Sequence, residues 1–399
     1  MYNCYFLLDE VVPTPHGSLS LRKPGFKDHG AIYHVDNMLT HYDDFSYSNF
    51  LSTTKHKLLP TGVRKYVFTF THMPLYTDLV LSHTAKLLIR NDPDTFLVIM
   101  SPLETTITDV ALKETLTKEK IPLNKVIVLC SNIESHQKDL SGVRYIAIEF
   151  WESYSRHHHK MLDDISITYP DQYNPTQIKK KFLCLNRNVK PHRIWFYYCL
   201  QKSGIIESSY TSFHLPTVEP FEYNQLARHH NVLKYIPQDL HPEYKKYLQT
   251  RMHVRKLDKI DERFVINYNA TMKAFYNKCA FSVVTESDHR NCFITEKTYK
   301  AIMNMHPFYI VGVPQQQQLM RAKGYETFED LFPIQYVNDY KTGMQLLTLI
   351  EKMDLDVLKT KLAGEYRDKL VYNQHNFLNR KISWNTIVDE IQKATVERI

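Results

Sequence analysis

The chain has 399 residues, of which 43% are hydrophobic, and it contains only 10 glycines against 27 tyrosines. A chain of this length can bury at least one sizeable core and is typical of about two domains. The scarcity of glycine argues against glycine-rich phosphate loops. The net charge of +7 favours anionic partners only weakly, and nucleotide sugars, polyphosphates and DNA all fit it.

The six cysteines lie far apart and include no CxxC pair, which argues against a zinc ribbon or a redox motif and predicts reduced thiols. No apolar run approaches the about 20 residues that a membrane-spanning helix needs. The stretch MYNCYFLLDEVV lacks a basic leader and is broken by Asp9 and Glu10, so it predicts a strand rather than a secretory signal. These features predict a protein of the reducing cytoplasm without membrane contact.

Residues 1–170 are predicted to form a first Rossmann-like domain. After an N-terminal strand and long loops, four short apolar runs indicate buried parallel strands. The runs are KYVFTF at 65–70, TFLVIM at 95–100, KVIVLC at 125–130 and RYIAIEF at 144–150. The stretches 71–92 and 109–120 between them have apolar residues at helical spacing, and this alternation predicts a doubly wound α/β fold.

A second alternation predicts another Rossmann-like domain over residues 178–345, after a proline-containing linker, YPDQYNPTQ, at 169–177. The strands are predicted at KKFLCLN, FSVVTES and PFYIVG, and the helices at HRIWFYYCLQKSG, ended by Gly204, and TEKTYKAIMNM. From about Leu346 the pattern is helical. Residues 346–399 are predicted to be helices that pack back on the first domain.

The densest polar signal is FSVVTESDHRNCFITEKTYKAIMNMHPFYIVG at 281–312. The predicted order of strand, loop, helix and strand puts Glu286 at the carboxyl end of a strand and Thr295, Glu296 and Lys297 at the start of the next helix. Open α/β sheets bind anionic ligands at such places, because unpaired N–H groups and the helix dipole point there. We therefore expect a nucleotide at this edge of the sheet.

The stretch TESDHRNCFITEKTYKAI, followed by PFYIVG, resembles the donor-binding motif of the α1,3-fucosyltransferase family: E-N-S, a short spacer, Y-[IV]-T-E-K, a helix and P-V-V-x-G. It is also similar to phage and giant-virus glycosyltransferases that carry T-E-K-[TF]. A looser likeness covers KKFLCLNRNVKPHRIWFYYCL at 180–200. The chain departs from the family at Ser287, where the family has Asn, at Phe293, where it has Tyr, and in lacking a recognisable acceptor-domain motif. The resemblance implies the GT-B type, two Rossmann-like domains facing a cleft, with the first on the acceptor side.

The resemblance further implies a UDP- or GDP-linked sugar donor and no cofactor. Arg193 would bind the donor diphosphate, Glu296 would accept hydrogen bonds from the ribose hydroxyls, and Lys297 would neutralise phosphate charge. The other residues of this predicted donor site are Asn186, Arg187, Glu286 and Thr295.

Each of these residues also has a structural interpretation. Glu296 and Lys297 could be an ordinary first-turn acid and base behind an N-cap threonine. Glu286 could be an exposed loop acid. Arg187 and Arg193 could belong to a solvated basic face.

No metal site is predicted. The side chains of His157–His159 must point in different directions, and no acid pair completes a site beside them. Asp92 and Asp94 form a D-x-D pair, but they precede an apolar strand instead of following one, so residues 91–94 predict a turn.

Inverting glycosyl transfer needs a base that takes the proton of the acceptor hydroxyl, and Arg193 and Lys297 could stabilise the leaving group without a metal. The base should lie near the carboxyl ends of the first domain's strands, where His72, Glu104, Glu134 and Glu152 are candidates. The resemblance implies inversion by a carboxylate, which favours Glu104 and Glu152.

Two acceptors fit the sequence: a glycan hydroxyl, or the hydroxymethyl group of a modified base in duplex phage DNA. The stretch YKKYLQTRMHVRKLDK at 244–259, in which basic residues and tyrosines interleave, could follow a phosphate backbone or be a solvated helix. The alternative function is a nucleic-acid-binding protein without catalysis on a Rossmann scaffold.

Overall fold

A computed structural model of the chain describes a large part of it in two compact units. The described residues are 4–8, 11–14, 17–20, 42–45, 50–52, 59–70, 81–101, 109–131, 142–161, 167–186, 190–213, 232–250, 273–288 and 292–396. One unit comprises Met1–Tyr154 with Lys381–Ile399, and the other comprises Ser155–Arg380. Each contains a parallel sheet with helices, so the predicted α/β class with two Rossmann-like domains is confirmed.

The elements of the described residues are numbered in chain order. The strands are β1 (Cys4–Leu8), β2 (Val11–Thr14), β3 (Gly17–Ser20), β4 (Phe50–Ser52), β5 (Arg64–Phe70), β6 (Thr95–Ser101), β7 (Val126–Cys130), β8 (Arg144–Ala147), β9 (Lys180–Asn186), β10 (Ser209–Phe213), β11 (Cys279–Thr285) and β12 (Phe308–Val311). The α-helices are α1 (His83–Asn91), α2 (Asp109–Lys118), α3 (Phe150–Met161), α4 (Pro191–Lys202), α5 (His241–Thr250), α6 (Lys273–Tyr276), α7 (Glu296–Met303), α8 (Pro314–Ala322), α9 (Tyr340–Lys352), α10 (Leu355–Ala363), α11 (Arg367–Asn379) and α12 (Trp384–Val396). Short 3-10 helices cover Leu123–Lys125, Pro175–Gln177, Ile205–Ser208 and Gln238–Leu240.

The first unit contains a six-stranded parallel sheet with the order β4-β1-β5-β6-β7-β8, and a separate antiparallel pair, β2 and β3. Successive residues of a strand point to opposite faces of its sheet. On one face, Phe68 and Val98 belong to a buried cluster with Trp384 of α12. On the other face, Val67 lies in a second cluster with Leu88 of α1. The sheet is therefore covered by helices on both faces, which is why its strands are almost continuously apolar.

The four strands predicted from apolar runs are present, but the last is shorter than predicted. It ends at Ala147 because Phe150, predicted as part of the strand, begins α3 and is buried in the cluster that contains Trp384. Helices α1 and α2 lie within the two predicted helical stretches.

The second unit contains a four-stranded parallel sheet with the order β10-β9-β11-β12. The chain leaves β9 for β10 on one side and then crosses to β11 on the other, so the strand order reverses between β9 and β11. In open α/β sheets, ligands bind outside the carboxyl ends of the strands at such a switch point. Strand β10 was not predicted because its sequence, SYTSF, is polar; the buried hydroxyls of Ser209 and Thr211 satisfy each other at 2.7 Å.

Helix α4 buries the nine consecutive residues His192–Leu200. It ends at Lys202, and Gly204 beyond it has a φ of +74°, the left-handed conformation that glycine adopts most easily. The predicted end of this helix is therefore confirmed. One turn of α4 packs on α9, where a Cβ atom on Gly343 would lie only 2.8 Å from Cζ3 of Trp195.

Residues 169–177, predicted to be a linker, lie inside the second unit. Tyr173 is buried, and the carbonyl oxygen of Pro170 accepts a hydrogen bond of 2.9 Å from Nη2 of Arg367. The helical segment 346–399 is divided between the units. Residues 346–380 lie in the second unit, where Nε2 of Gln374 donates to the carbonyl oxygens of Thr168 and Met303, and residues 381–399 lie in the first.

Candidate functional site

The predicted site residues that the structure describes in the second unit gather at the carboxyl ends of β9 and β11. Asn186 ends β9 and Thr285 ends β11, and the hydroxyl of Thr285 donates to the side-chain oxygen of Asn186. The backbone N–H of Asn186 donates to Oγ of Ser212 at 3.0 Å. These bonds tie the ends of three adjacent strands together at the switch point of the sheet.

The carboxylate of Glu286 holds the start of α7. Oε1 accepts hydrogen bonds from the backbone N–H of Thr295 at 3.1 Å and the hydroxyl of Thr298 at 2.6 Å. Oε2 accepts from the hydroxyl of Thr295 at 2.5 Å and the backbone N–H of Ser287 at 3.3 Å. Glu286 is completely buried, so its interpretation as an exposed loop acid is wrong. Its two oxygens already accept four hydrogen bonds from the protein, which is about the full capacity of a carboxylate.

The start of α4 is fixed to the end of β11 by two buried side chains. Nε2 of His192 lies 2.6 Å from the carbonyl oxygen of Glu286. Arg193 donates from Nη2 to the carbonyl oxygens of Thr285 at 3.0 Å and Glu286 at 3.3 Å, and from Nε to that of Thr285 at 3.3 Å. Arg193 is 1% exposed, so it is not part of a solvated face. Its predicted contact with a diphosphate stays a prediction.

Two lysine side chains donate hydrogen bonds to Ser287. Nζ of Lys190, the residue before α4, donates to the carbonyl oxygen of Ser287 at 2.7 Å. Nζ of Lys297 donates to Oγ of Ser287 at 3.0 Å and to Oγ1 of Thr295 at 3.1 Å. Both lysine side chains are partly exposed. Two ammonium groups are thus brought to one residue at the edge of the sheet.

Glu296 is the first residue of α7 and pairs with its neighbour Lys297 at 3.0 Å. The exposed fractions of the two side chains are 22% and 20%. Thr295 before them has extended backbone and is the N-cap of the helix. Unlike Glu286 and Arg193, this acid and base are within reach of solvent.

The turn that leads into α7 is held by Gln316 of α8. Its Nε2 donates to the carbonyl oxygens of Asp288 at 2.8 Å and Phe293 at 3.2 Å, and its Oε1 accepts from the N–H of Val313 at 3.2 Å. Gly312 provides the space, because a Cβ atom there would collide with Oε1 of Gln316. The glycine that ends PFYIVG is therefore explained by a close approach of a side chain.

Comparisons with known proteins give distant likenesses. Among solved structures, the chain is similar to an α1,3-fucosyltransferase at 12% identity and a TM-score of 0.43. It is also similar to an α1,3-fucosyltransferase with GDP-fucose at 10% identity and a TM-score of 0.42. Each of these two alignments covers 99% of this chain and 91% of the other chain. It is also similar to an α,α-trehalose-phosphate synthase (UDP-forming) from Burkholderia xenovorans, at 9% identity and a TM-score of 0.44, over 99% of this chain and 100% of that chain. No protein-family model and no curated protein sequence matches the chain. Likenesses of this degree do not assign a function.

The sequence pattern did not predict the contacts of five residues that build the site: Lys190, His192, Ser287, Thr298 and Gln316. In the sequence, Lys190 is only one of several basic residues near α4. Its position directly before the helix-starting Pro191 was a signal, since proline is common at the first position of a helix. The contacts of the other four depend on residues distant in the sequence or on the fold of the turn.

The remaining predicted residues lie elsewhere. His72, Glu104, Glu134 and Arg187 are outside the described residues. Glu152 lies in the first turn of α3 and is 1% exposed. Asp92 and Asp94 lie in the turn before β6, as predicted; there the carboxylate of Asp92 accepts hydrogen bonds from Nζ of Lys65 at 2.9 Å and the N–H of Asp94 at 3.0 Å.

Among the described residues, no group of three histidine, cysteine or acidic side chains is placed to hold a metal ion. In the same part of the chain, no helix has both the length and the apolar character needed to cross a membrane.

All six cysteines are described and are free thiols. Beside the site, burial raises the pKa of Cys184 to about 12, although a hydrogen bond from Asn186 and the charge of Arg193 act in the opposite direction. The Cys184 thiol is therefore not a nucleophile at neutral pH.

The first part of the predicted phosphate-tracking stretch forms α5, and residues 251–259 lie outside the described part of the chain. Tyr244 and Tyr247 are buried, and both rings contact that of Tyr198 in α4. Lys245 and Lys246 between them are exposed. In α5 the tyrosines therefore belong to the core of the second unit, whereas Lys245 and Lys246 face solvent.

Proposed function

We propose that the chain is a glycosyltransferase that moves a sugar from a UDP- or GDP-linked donor to an acceptor hydroxyl. The observation that carries this proposal is the position of Lys297. Its ammonium group lies in the first turn of α7, bonded to Ser287, beside the switch point of the four-stranded sheet. A cation, the N-terminus of a helix and the carboxyl ends of parallel strands together favour a phosphate-bearing ligand.

The partly exposed pair Glu296 and Lys297 matches chemically distinct parts of such a donor. A carboxylate can accept hydrogen bonds from both ribose hydroxyls, and an ammonium group can offset the charge of a departing nucleoside diphosphate. The resemblance of TEKTYK to the fucosyltransferase donor motif supports the same assignment. Glu286, which the sequence also predicted to bind the donor, acts in this proposal by holding α7 in place.

The proposed reaction is inverting and independent of metal, in a GT-B arrangement with the acceptor on the side of the first unit. A base takes the proton of the acceptor hydroxyl while the nucleoside diphosphate leaves. The candidates for that base stay His72, Glu104, Glu134 and Glu152. Of these, the resemblance to the fucosyltransferase family favours the carboxylates Glu104 and Glu152.

The first test is a panel of nucleotide sugars and nucleoside diphosphates, scored by the shift in melting temperature of the protein. A ligand that binds only the native state raises its stability, so a transferase should respond to UDP or GDP compounds. The Lys297→Met variant should lose at least about tenfold in affinity for the responding nucleotide, since hydrogen bonds to charged groups contribute about 1.5–3 kcal/mol. Lys300→Met, in the same helix one turn later, is the matched control and should keep wild-type affinity. Equal affinity of Lys297→Met and wild type would reject this site.

The second test identifies the acceptor. Tyr244 and Tyr247 are buried, so α5 presents neither ring to a nucleic acid, and oligosaccharides are the first acceptors to test, followed by hydroxymethylated duplex DNA. A gain in acceptor mass by one sugar residue, in the presence of the responding donor, supports transfer. A protein that is stabilised by DNA alone, and by no nucleotide, would instead be the non-catalytic nucleic-acid-binding alternative.

A further inference from the structure

Lys190 occupies a position that helix stability does not explain. It is the N-cap of α4, its side chain makes no capping hydrogen bond, and no acidic residue lies in the first turn of that helix. The N-terminus of a helix carries partial positive charge, so a lysine there is electrostatically unfavourable. Residues that break a local rule of this kind are expected at functional or strained sites.

Lys297 also lies at the start of a helix, as the second residue of α7, where its ammonium group pairs with the carboxylate of Glu296 at 3.0 Å. The two lysines belong to different helices, yet both donate to Ser287, Lys190 to its carbonyl oxygen at 2.7 Å and Lys297 to its hydroxyl at 3.0 Å. An anion in contact with both ammonium groups gains from their positive charges and also complements the N-termini of both helices.

We infer that Lys190 and Lys297 together bind the two phosphate groups of a nucleoside diphosphate, which makes Lys190 a residue that determines specificity for diphosphate over monophosphate donors. This inference rests on the proposed function. A diphosphate can contact both ammonium groups at once, whereas a monophosphate offers a single phosphate group. Lys190 is also the more accessible cation at the start of α4, because Arg193 is 1% exposed and donates from Nε and Nη2 to backbone carbonyls.

The test separates the charge of Lys190 from its structural contact. Lys190→Gln keeps a side-chain N–H that can donate to the carbonyl oxygen of Ser287 but removes the positive charge, and Lys190→Arg keeps the charge. Lys181→Gln is the matched control, because Nζ of Lys181 also donates to a backbone carbonyl, that of Glu351 at 2.7 Å. Lys181 lies near the amino end of β9, whereas the candidate site lies at the carboxyl end of that strand. Calorimetry measures the dissociation constants of GDP, GMP, UDP and UMP for each variant and for wild type.

We expect Lys190→Gln to lower the affinity for the diphosphate that wild type binds at least about tenfold. Its affinity for the corresponding monophosphate should fall less, so the selectivity for diphosphate over monophosphate should decrease. Lys190→Arg and Lys181→Gln should keep the wild-type selectivity. If Lys190→Gln retains that selectivity while wild type binds diphosphates, the role of Lys190 is rejected and the proposed function stands. If wild type binds no nucleoside diphosphate, the proposed function itself is rejected. Melting curves test whether each variant is folded. If Lys190→Gln is unfolded, a folded Lys190→Met variant replaces it, and this variant must then lose the selectivity for the inference to hold.

Discussion

The charged side chains near the start of α7 form two groups that differ in exposure. Glu286 and Arg193 are almost completely buried and make their observed hydrogen bonds to groups of the protein. Glu296 and Lys297 lie a few residues away in sequence from Glu286 and keep about a fifth of their side chains exposed. A buried charge is tolerated only with hydrogen-bonding partners, so the first group stabilises the structure around the start of α7, whereas the second is in contact with solvent.

This difference in burial predicts that a Glu→Gln substitution affects stability at Glu286 and donor binding at Glu296. Glu286→Gln replaces one acceptor oxygen by an NH₂ group that faces N–H and hydroxyl donors, and we expect it to lower the free energy of unfolding by about 2 kcal/mol or more. Glu296→Gln, its matched control, should change the free energy of unfolding by less than about 0.5 kcal/mol and should weaken donor binding. Urea denaturation measures the first quantity and calorimetry the second. A fully stable Glu286→Gln protein would show that its carboxylate does not hold α7.

At the level of helices, α4 is the element on which the second unit is assembled. Its residues 192–200 are buried on every side, so its sequence has no apolar stripe that indicates a particular neighbour. Phe213 of β10 stacks on Tyr197 with ring centroids 4.3 Å apart, and Gly343 brings α9 against Trp195. The close approach of α9 depends on the absence of a side chain at Gly343.

We therefore expect Gly343→Ala to destabilise the protein, although alanine is normally the better helix former. The helix-propensity gain of about 0.5–1 kcal/mol is smaller than the about 1–3 kcal/mol that overpacking against a buried, rigid indole ring costs. Gly364→Ala is the control, since a Cβ atom there would come no closer than 3.6 Å to its nearest neighbour, the carbonyl oxygen of Thr360. Thermal unfolding compares the two variants with wild type. A rise in the melting temperature of Gly343→Ala would contradict the packing argument.

The core of the first unit contains residues from both ends of the chain. Trp384, Ile387 and Val388 of α12 are buried in the core cluster of the six-stranded sheet. The carboxylates of Asp43 and Asp44 accept hydrogen bonds from the backbone N–H groups of Ile382, at 2.8 Å, and Trp384, at 3.1 Å. The last helix therefore belongs to a core that begins at the other end of the sequence.

Truncation after Arg380 should consequently unfold the first unit. Burying the large apolar side chains of α12 contributes about 6 kcal/mol or more, which is comparable with the whole stability of a domain. Hydrogen exchange followed by mass spectrometry should show lost protection in β5, β6 and β7. Truncation after Val396, which leaves α12 intact, should preserve it. Full protection of these strands in the shorter protein would mean that α12 is dispensable.

Much of the secondary structure could be predicted from the sequence because burial imposes local periodicity. The strands β5, β6, β7, β9, β11 and β12 and the helices α4 and α7 all followed from apolar runs, helical spacing and capping residues. Strand β10 could not, because its buried polar side chains are satisfied by partners instead of being apolar. The start of α7 at Glu296 was predictable for the same local reason, since an N-cap threonine and a first-turn acid are visible in the sequence.

The roles of individual charges were decided by contacts between residues far apart in the chain. Arg193 meets the carbonyl oxygen of Thr285 across 92 positions, and Lys190 meets that of Ser287 across 97. Periodicity and spacing reveal which residues share a helix face or a strand end, but the partner of a buried donor depends on how the strands cross over. The sequence therefore established two α/β domains and a polar helix start, whereas only the folded arrangement distinguished the charged side chains that are buried beside this helix start from those that are partly exposed.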